Sequence, residues 1–121
     1  MGIILHITGR DDWERAMAVG SYEPDSLRSQ GFIHCSRPDQ VVAVANALFR
    51  GRKNLIVLCI DTDRIPHEIR YENLDDGREL FPHVYGPVIP DAVVRVVDFV
   101  PEPNGTFLLP TALKEDRGRR K

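Results

Sequence analysis

The chain has 121 residues, of which 42% are hydrophobic, 28% charged and 7% aromatic, a composition that suits one globular domain and is too short for two cores. Its longest unbroken apolar run, Leu55–Ile60, is six residues, against the roughly 20 that a membrane-spanning helix needs. The 16 basic and 18 acidic residues give a net charge of −2; residues 114–121 hold five positive and two negative charges, so residues 1–113 carry 11 against 16, a net −5.

Residues 2–7 read as a first strand. Thr8 offers an N-cap, with Asp11 at the third position, for a helix over 9–19 whose apolar stripe is Trp13, Ala16 and Met17 and whose stop is Gly20. Residues 21–30, with Pro24, Asp25 and Ser26, read as an irregular connection, and Phe32–Cys35 as a short strand. Ser36 then caps a second helix with Pro38 in its first turn, a buried face of Val41, Val42, Ala45, Leu48 and Phe49, and Gly51 at its end.

Asn54–Ile60 is apolar on both faces and is predicted to be a central strand. Ile69–Asn73 is a further strand, followed by an Asp75-Asp76-Gly77 turn that closes a hairpin. His83–Tyr85 is a short extended piece, Val93–Val100 the last clear strand, and Thr106–Leu109 an edge segment. Two helices followed mostly by strands predict the α+β class. The domain is expected to be residues 1–110, with residues 111–121 a flexible basic tail.

An acidic body lacks the basic face that phosphate backbones require, so nucleic acid is not an expected partner. Cys35 and Cys59 lie in apolar segments without paired spacing and read as buried free thiols. No charged region precedes an apolar stretch at the start, so a cytoplasmic location is expected.

Alternation along strands assigns side chains to faces. His6 shares a face with Thr8, His34 with Phe32 and Ser36, and His83 with Tyr85. Each of three segments thus sets a histidine beside a hydroxyl, and the three pairs are expected to converge on one cleft. The same rule sends Cys35 to the side opposite His34, which speaks against a Cys-His nucleophile pair. His67, in a polar stretch, is expected to be exposed. Arg70 and Glu72 read as a solvated ion pair, leaving Glu79, just ahead of Leu80-Phe81-Pro82-His83, as the carboxylate candidate.

The strings His6-Ile7-Thr8, Gly31-Phe32-Ile33-His34-Cys35-Ser36 and Glu79-Leu80-Phe81-Pro82-His83-Val84-Tyr85-Gly86-Pro87, with Trp13 between the first two, resemble the domain-of-unknown-function family 952 over roughly residues 3–100, nearly the whole domain. The resemblance implies a fold similar to ADP-ribosyltransferases and RNA 2'-phosphotransferases: two small, mostly antiparallel sheets with two N-terminal helices and a cleft for NAD or a phosphorylated ribose. By order along the chain His6 matches the residue that holds the ribose. Ser36 or Tyr85 would support a nicotinamide ring, and Glu79 is the nearest match to a late catalytic glutamate. The arginine-rich constellation of the phosphotransferases is absent.

Three functional readings follow. In the first, the chain is a nucleotide-using enzyme with NAD as the possible cofactor. Glu79 and His34 would be catalytic, and His6, Thr8, Phe32, Ser36, His83 and Tyr85 would bind the ligand. In the second, His6, His34 and His83 form a three-imidazole metal site, although no short ligand spacing supports it. In the third, the chain is a binding module that keeps the cleft without turnover.

Overall fold

The computed structural model describes residues 2–73 and 79–118. In chain order the elements are β1 (Ile3–Gly9), α1 (Arg10–Val19), α2 (Asp25–Ser29), β2 (Ile33–His34), α3 (Val41–Leu48), β3 (Leu55–Asp61), β4 (Ile69–Glu72), β5 (Phe81–Val84), β6 (Val93–Phe99) and α4 (Thr111–Gly118), with 3-10 turns at Thr62–Arg64 and Pro90–Ala92. The strands form two antiparallel three-stranded sheets, in the orders β1-β3-β6 and β2-β5-β4. This is the predicted α+β class. Among the described residues no helix is long and apolar enough to cross a membrane.

β3 lies at the centre of the first sheet with all seven residues buried, as a run apolar on both faces requires. Ile56, Leu58 and Ile60 point into one cluster with Ile4, Trp13, Tyr22, Ile33 and Val84. Leu55, Val57 and Cys59 point into the other, with Leu5, Val41, Ala45, Phe99, Phe107 and Leu113. Each fully buried aliphatic side chain contributes roughly 1.5–3 kcal/mol. The second sheet turns Ile33 and Val84, which are register partners, toward the first cluster. Its other face is left for Phe32, His34, Glu72, His83 and Tyr85.

Local signals placed most elements and misplaced some of their ends. Thr8 does not cap α1: β1 runs on to Gly9, which is the N-cap, because pairing with β3 continues to the Gly9–Leu55 register. Gly20 ends α1 in the left-handed region, at φ 95°, and its N–H donates to the Ala16 carbonyl. The connection expected to be irregular contains α2. Ser36 does not cap α3, which starts only at Val41. Instead the Ser36 backbone pairs with Leu5 in both directions at 2.7 Å, extending β1 on its open edge and joining the two sheets. Gln40 anchors the start of α3: its Oε1 accepts from the Arg37 N–H and its Nε2 donates to the Leu80 carbonyl.

Thr106–Leu109 forms no strand. Residues 111–118, expected to begin a flexible tail, form α4, because Leu113 finds a place in the core and is 3% exposed. The Asp75-Asp76-Gly77 turn and residues 119–121 lie outside the described residues. Cys35 and Cys59 are buried free thiols, and His67 is exposed.

Candidate functional site

Where the Leu5–Ser36 bridge joins the sheets, a cavity of about 620 Å³ opens. Its polar lining comes from His6, Ser26, Gln30, His34, Ser36, Glu72 and His83, and its apolar lining mainly from Leu5, Ile7, Val44, Leu48, Phe49 and Phe81. Among the described residues neither lysine nor arginine lines it, and Glu72 is the acidic residue there.

Pairing of β2 with β5 sets His34 directly opposite His83, so both rings project from the same face, with centroids 5.2 Å apart. Phe32, two residues before His34, lies over this pair. Its ring stacks on His83 at 4.2 Å and 19°, and meets His34 edge-on at 4.8 Å and Tyr85 at 5.3 Å. α2 closes the near side. Ser26 Oγ donates to the Phe32 carbonyl at 2.8 Å, and Gln30 Oε1 lies 2.6 Å from His34 Nε2. An amide oxygen only accepts, so that ring nitrogen carries the proton.

Glu72 reaches the site from β4. His83 Nδ1 lies 2.8 Å from Glu72 Oε1, and the Tyr85 hydroxyl donates to the same oxygen at 2.6 Å. The hydroxyl of Tyr85, followed by the His83 contact, holds the Glu72 carboxyl below the usual carboxylate range. Contact with that carboxylate in turn pushes the Tyr85 phenol up. A carboxylate accepts and does not donate, so Nδ1 of His83 is the donor and, in the neutral ring, the lone pair lies on Nε2. Arg70 stands at the rim, its Nη1 3.9 Å from Glu72 Oε2 and its guanidinium 4.5 Å from the Tyr85 ring centroid.

His6 lines the same cavity, but its ring nitrogens are engaged elsewhere. Nδ1 lies 2.6 Å from the His34 carbonyl and Nε2 lies 2.7 Å from the Tyr22 hydroxyl. Burial lowers its pKa to about 4, so the ring is neutral at pH 7. The carbonyl takes the Nδ1 proton, leaving Nε2 to accept from Tyr22. Thr8 Oγ1, 2.9 Å from the Tyr22 hydroxyl, completes this buried group. Burial also pushes the Tyr22 phenol up to about 12.

The expected convergence therefore divides. His34 and His83 come together with Phe32 and Tyr85, whereas His6 and Thr8 turn to Tyr22. Ser36 lines the cavity with its backbone committed to Leu5. Glu79 is exposed and lies 3.4 Å from Gln40 Nε2; the carboxylate bonded to His83 is Glu72. The ion pair expected between Arg70 and Glu72 is long, and Arg70 bonds Glu68 at 2.8 Å instead. Alternation identified the face of Phe32, His34 and His83. Gln30 and Tyr22 carried no local signal, since both are brought in by tertiary packing.

The three-imidazole metal site does not form, because both ring nitrogens of His6 face hydrogen-bond partners other than a shared centre. Among the described residues, no group of three or more His, Cys, Asp or Glu is placed to hold a metal ion. Cys35 lies opposite His34, in the core cluster, and burial pushes its thiol up, away from the reactive thiolate.

The profile of DUF952, a family described as proteins of unknown function, matches residues 7–96. Two crystal structures of protein CC0527 from Caulobacter crescentus are similar to this chain at 30% identity, with TM-scores of 0.83 and, for a double mutant, 0.82. Each likeness covers 93% of this chain and 98% of that one. The solution NMR structure of CC0527 matches at 31% identity and a TM-score of 0.76, over 88% of this chain and 91% of that one. No curated protein matches the chain.

Proposed function

The chain belongs to the DUF952 family, and we propose that it binds a small molecule with a flat ring, of about nucleoside size, in the cavity between its two sheets. The arrangement of Phe32, His83, Glu72 and Tyr85 carries this reading. Phe32 and the histidine rings supply flat apolar contacts, while Gln30, Ser36 and His83 supply polar groups that fix orientation. A few convergent polar groups in a largely apolar hollow of several hundred Å³ are what small-molecule sites share.

The charge of the lining selects among ligands. Cationic side chains favour pyrophosphate groups, and among the described residues the lining holds neither lysine nor arginine. On this reading the ring-and-ribose end of NAD enters the cavity and its diphosphate stays outside it. Glu72, which is anionic, favours a neutral or positively charged ring such as nicotinamide joined to ribose. In the ADP-ribosyl-transfer reading, a bound NAD supplies an activated bond between ribose and nicotinamide. Glu72 then takes the carboxylate position for which Glu79 was expected, supporting positive charge at the ribose.

Titration with nicotinamide riboside, NAD and ADP-ribose, read by thermal shift and calorimetry, tests the proposal. Nicotinamide riboside is expected to stabilise the fold at saturation, because a ligand that binds only the native state must, and to lose that effect in Phe32→Ala. The absence of stabilisation by all three at millimolar concentration would refute it. Binding without release of nicotinamide would assign the binding-module form of the same site.

A further inference from the structure

We propose that His83 is a general base in this cavity, its Nε2 taking a proton from a water or a hydroxyl group beside the ligand while Glu72 holds the opposite ring nitrogen. The proposal rests on the ligand-binding reading above and adds a chemical role to one side chain. Nδ1 is bonded to Glu72 at 2.8 Å. Nε2 has no hydrogen-bond partner among the described residues, and no fully buried side-chain nitrogen or oxygen among them lacks one. Nε2 therefore meets open space, and the space that His83 lines is the cavity.

The base is also held in place. Phe32 covers one face of the ring at 4.2 Å and the His34 ring meets it at 5.2 Å. Glu72 is itself fixed by the Tyr85 hydroxyl at 2.6 Å. Such a ring has its proton-accepting nitrogen fixed in direction, and the carboxylate behind it stabilises the imidazolium that forms. In the step, an O–H proton passes to Nε2 as that oxygen bonds to an electrophilic carbon. The bond from that carbon to the leaving group breaks, and the leaving group takes the proton from Nε2, restoring the neutral ring. The step needs no oxidant or reductant. Among the described residues, Glu72, Tyr85, Arg70 and His34 are the titratable or charged groups facing the ring.

Hydrolysis of p-nitrophenyl acetate by the full chain from pH 5 to 9, together with NMR of histidine-labelled protein, tests the assignment. The rate is expected to rise with pH through one ionisation, and His83→Gln to lower it roughly 100-fold. Glu72, a positioning residue, is tested by Glu72→Gln, which is expected to lower the rate about tenfold, and by Glu72→Asp, which should restore part of it. NMR should find the proton on Nδ1 of the neutral ring. Unchanged turnover in His83→Gln, or a neutral ring protonated on Nε2, would overturn the proposal. Stabilisation by nicotinamide riboside without any turnover would overturn the base and leave the binding reading standing. Turnover dependent on His83 without stabilisation by any ligand would overturn the binding reading alone.

Discussion

Glu72 and His83 are diagonal neighbours on adjacent strands. Arg70 is the register partner of His83, and the Glu72 carboxylate, two residues further along β4, reaches back to the imidazole at 2.8 Å. Diagonal pairs of this kind are within reach of long side chains across a sheet. Because residues two apart share a face, the contact is built into the pairing of β4 with β5 and needs no loop to hold it. The same alternation puts Ile69 behind the sheet, packed against the core.

Removing the charge at Glu72 is expected to cost stability, whereas removing it at Glu79 is not. Glu72→Gln keeps the shape but gives the Tyr85 hydroxyl and the His83 N–H a neutral, weaker acceptor, so its urea midpoint is expected to fall below the parent's. Glu79→Gln should stay within about 0.5 kcal/mol of the parent. Urea unfolding at pH 7 measures both, and equal effects would show that the Glu72 contacts contribute nothing.

Acid should destabilise the fold through His6 before the carboxylates titrate. Its pKa is lowered from 6.5 to about 4 in the fold by burial, so between those values the unfolded chain binds a proton that the native chain does not. Stability then falls as pH drops from 6.5 to 4, by up to about 3 kcal/mol, and this contribution levels off below. Glu68 and Glu72, whose pKa values are lowered, lose their contributions only as pH falls below the ordinary carboxylate value. Their effect therefore continues the decline. Denaturant midpoints from pH 7 to 4 should slope less in His6→Gln; an identical slope would remove His6 as the cause.

Gly86 should resist any side chain while His67 is present. A Cβ there would stand 2.3 Å from Cγ of the His67 ring, far inside contact distance. Gly86→Ala is expected to cost about 1–3 kcal/mol, as overpacking does, and much less in a His67→Ala background. A double-mutant cycle measures the difference, and additive effects would show that the ring moves aside freely.

Leu113 should behave as a core residue. It is buried against the cluster of Phe99 and Phe107, and Arg95 Nη1 donates to the neighbouring Ala112 carbonyl at 3.0 Å. Leu113→Ala is expected to cost about 2–5 kcal/mol, seen as a lower thermal midpoint. A change near zero would return this segment to the flexible tail that its basic composition suggested.

The faces of the strands were legible because alternation is a local property of extended backbone. Phe32 with His34, and His83 with Tyr85, share sides as two-residue spacing requires, and Cys35 is turned away from His34. The carboxylate was not legible. Arg70 and Glu72, two apart on one strand, carry the same local pattern whether they pair with each other or with a neighbouring strand, and the β4–β5 register chose the latter. Ser36 and Thr8 each had the chemistry of a helix cap, but strand pairing engaged both first.

Composition and spacing by themselves determined the class of the fold, its twice-buried central strand β3 and the sides on which the site's rings stand, while the resemblance to the family was carried by three residue strings. Tertiary structure decided which of those rings meet. Burying Ile33 and Val84 against the first sheet brings β2 and β5 together and gathers His34 with His83, while the ring nitrogens of His6, on the neighbouring sheet, are engaged by the His34 carbonyl and Tyr22. The reason is one of range: a residue's side follows from its own backbone, whereas its partners follow from how whole sheets hide their apolar faces from water.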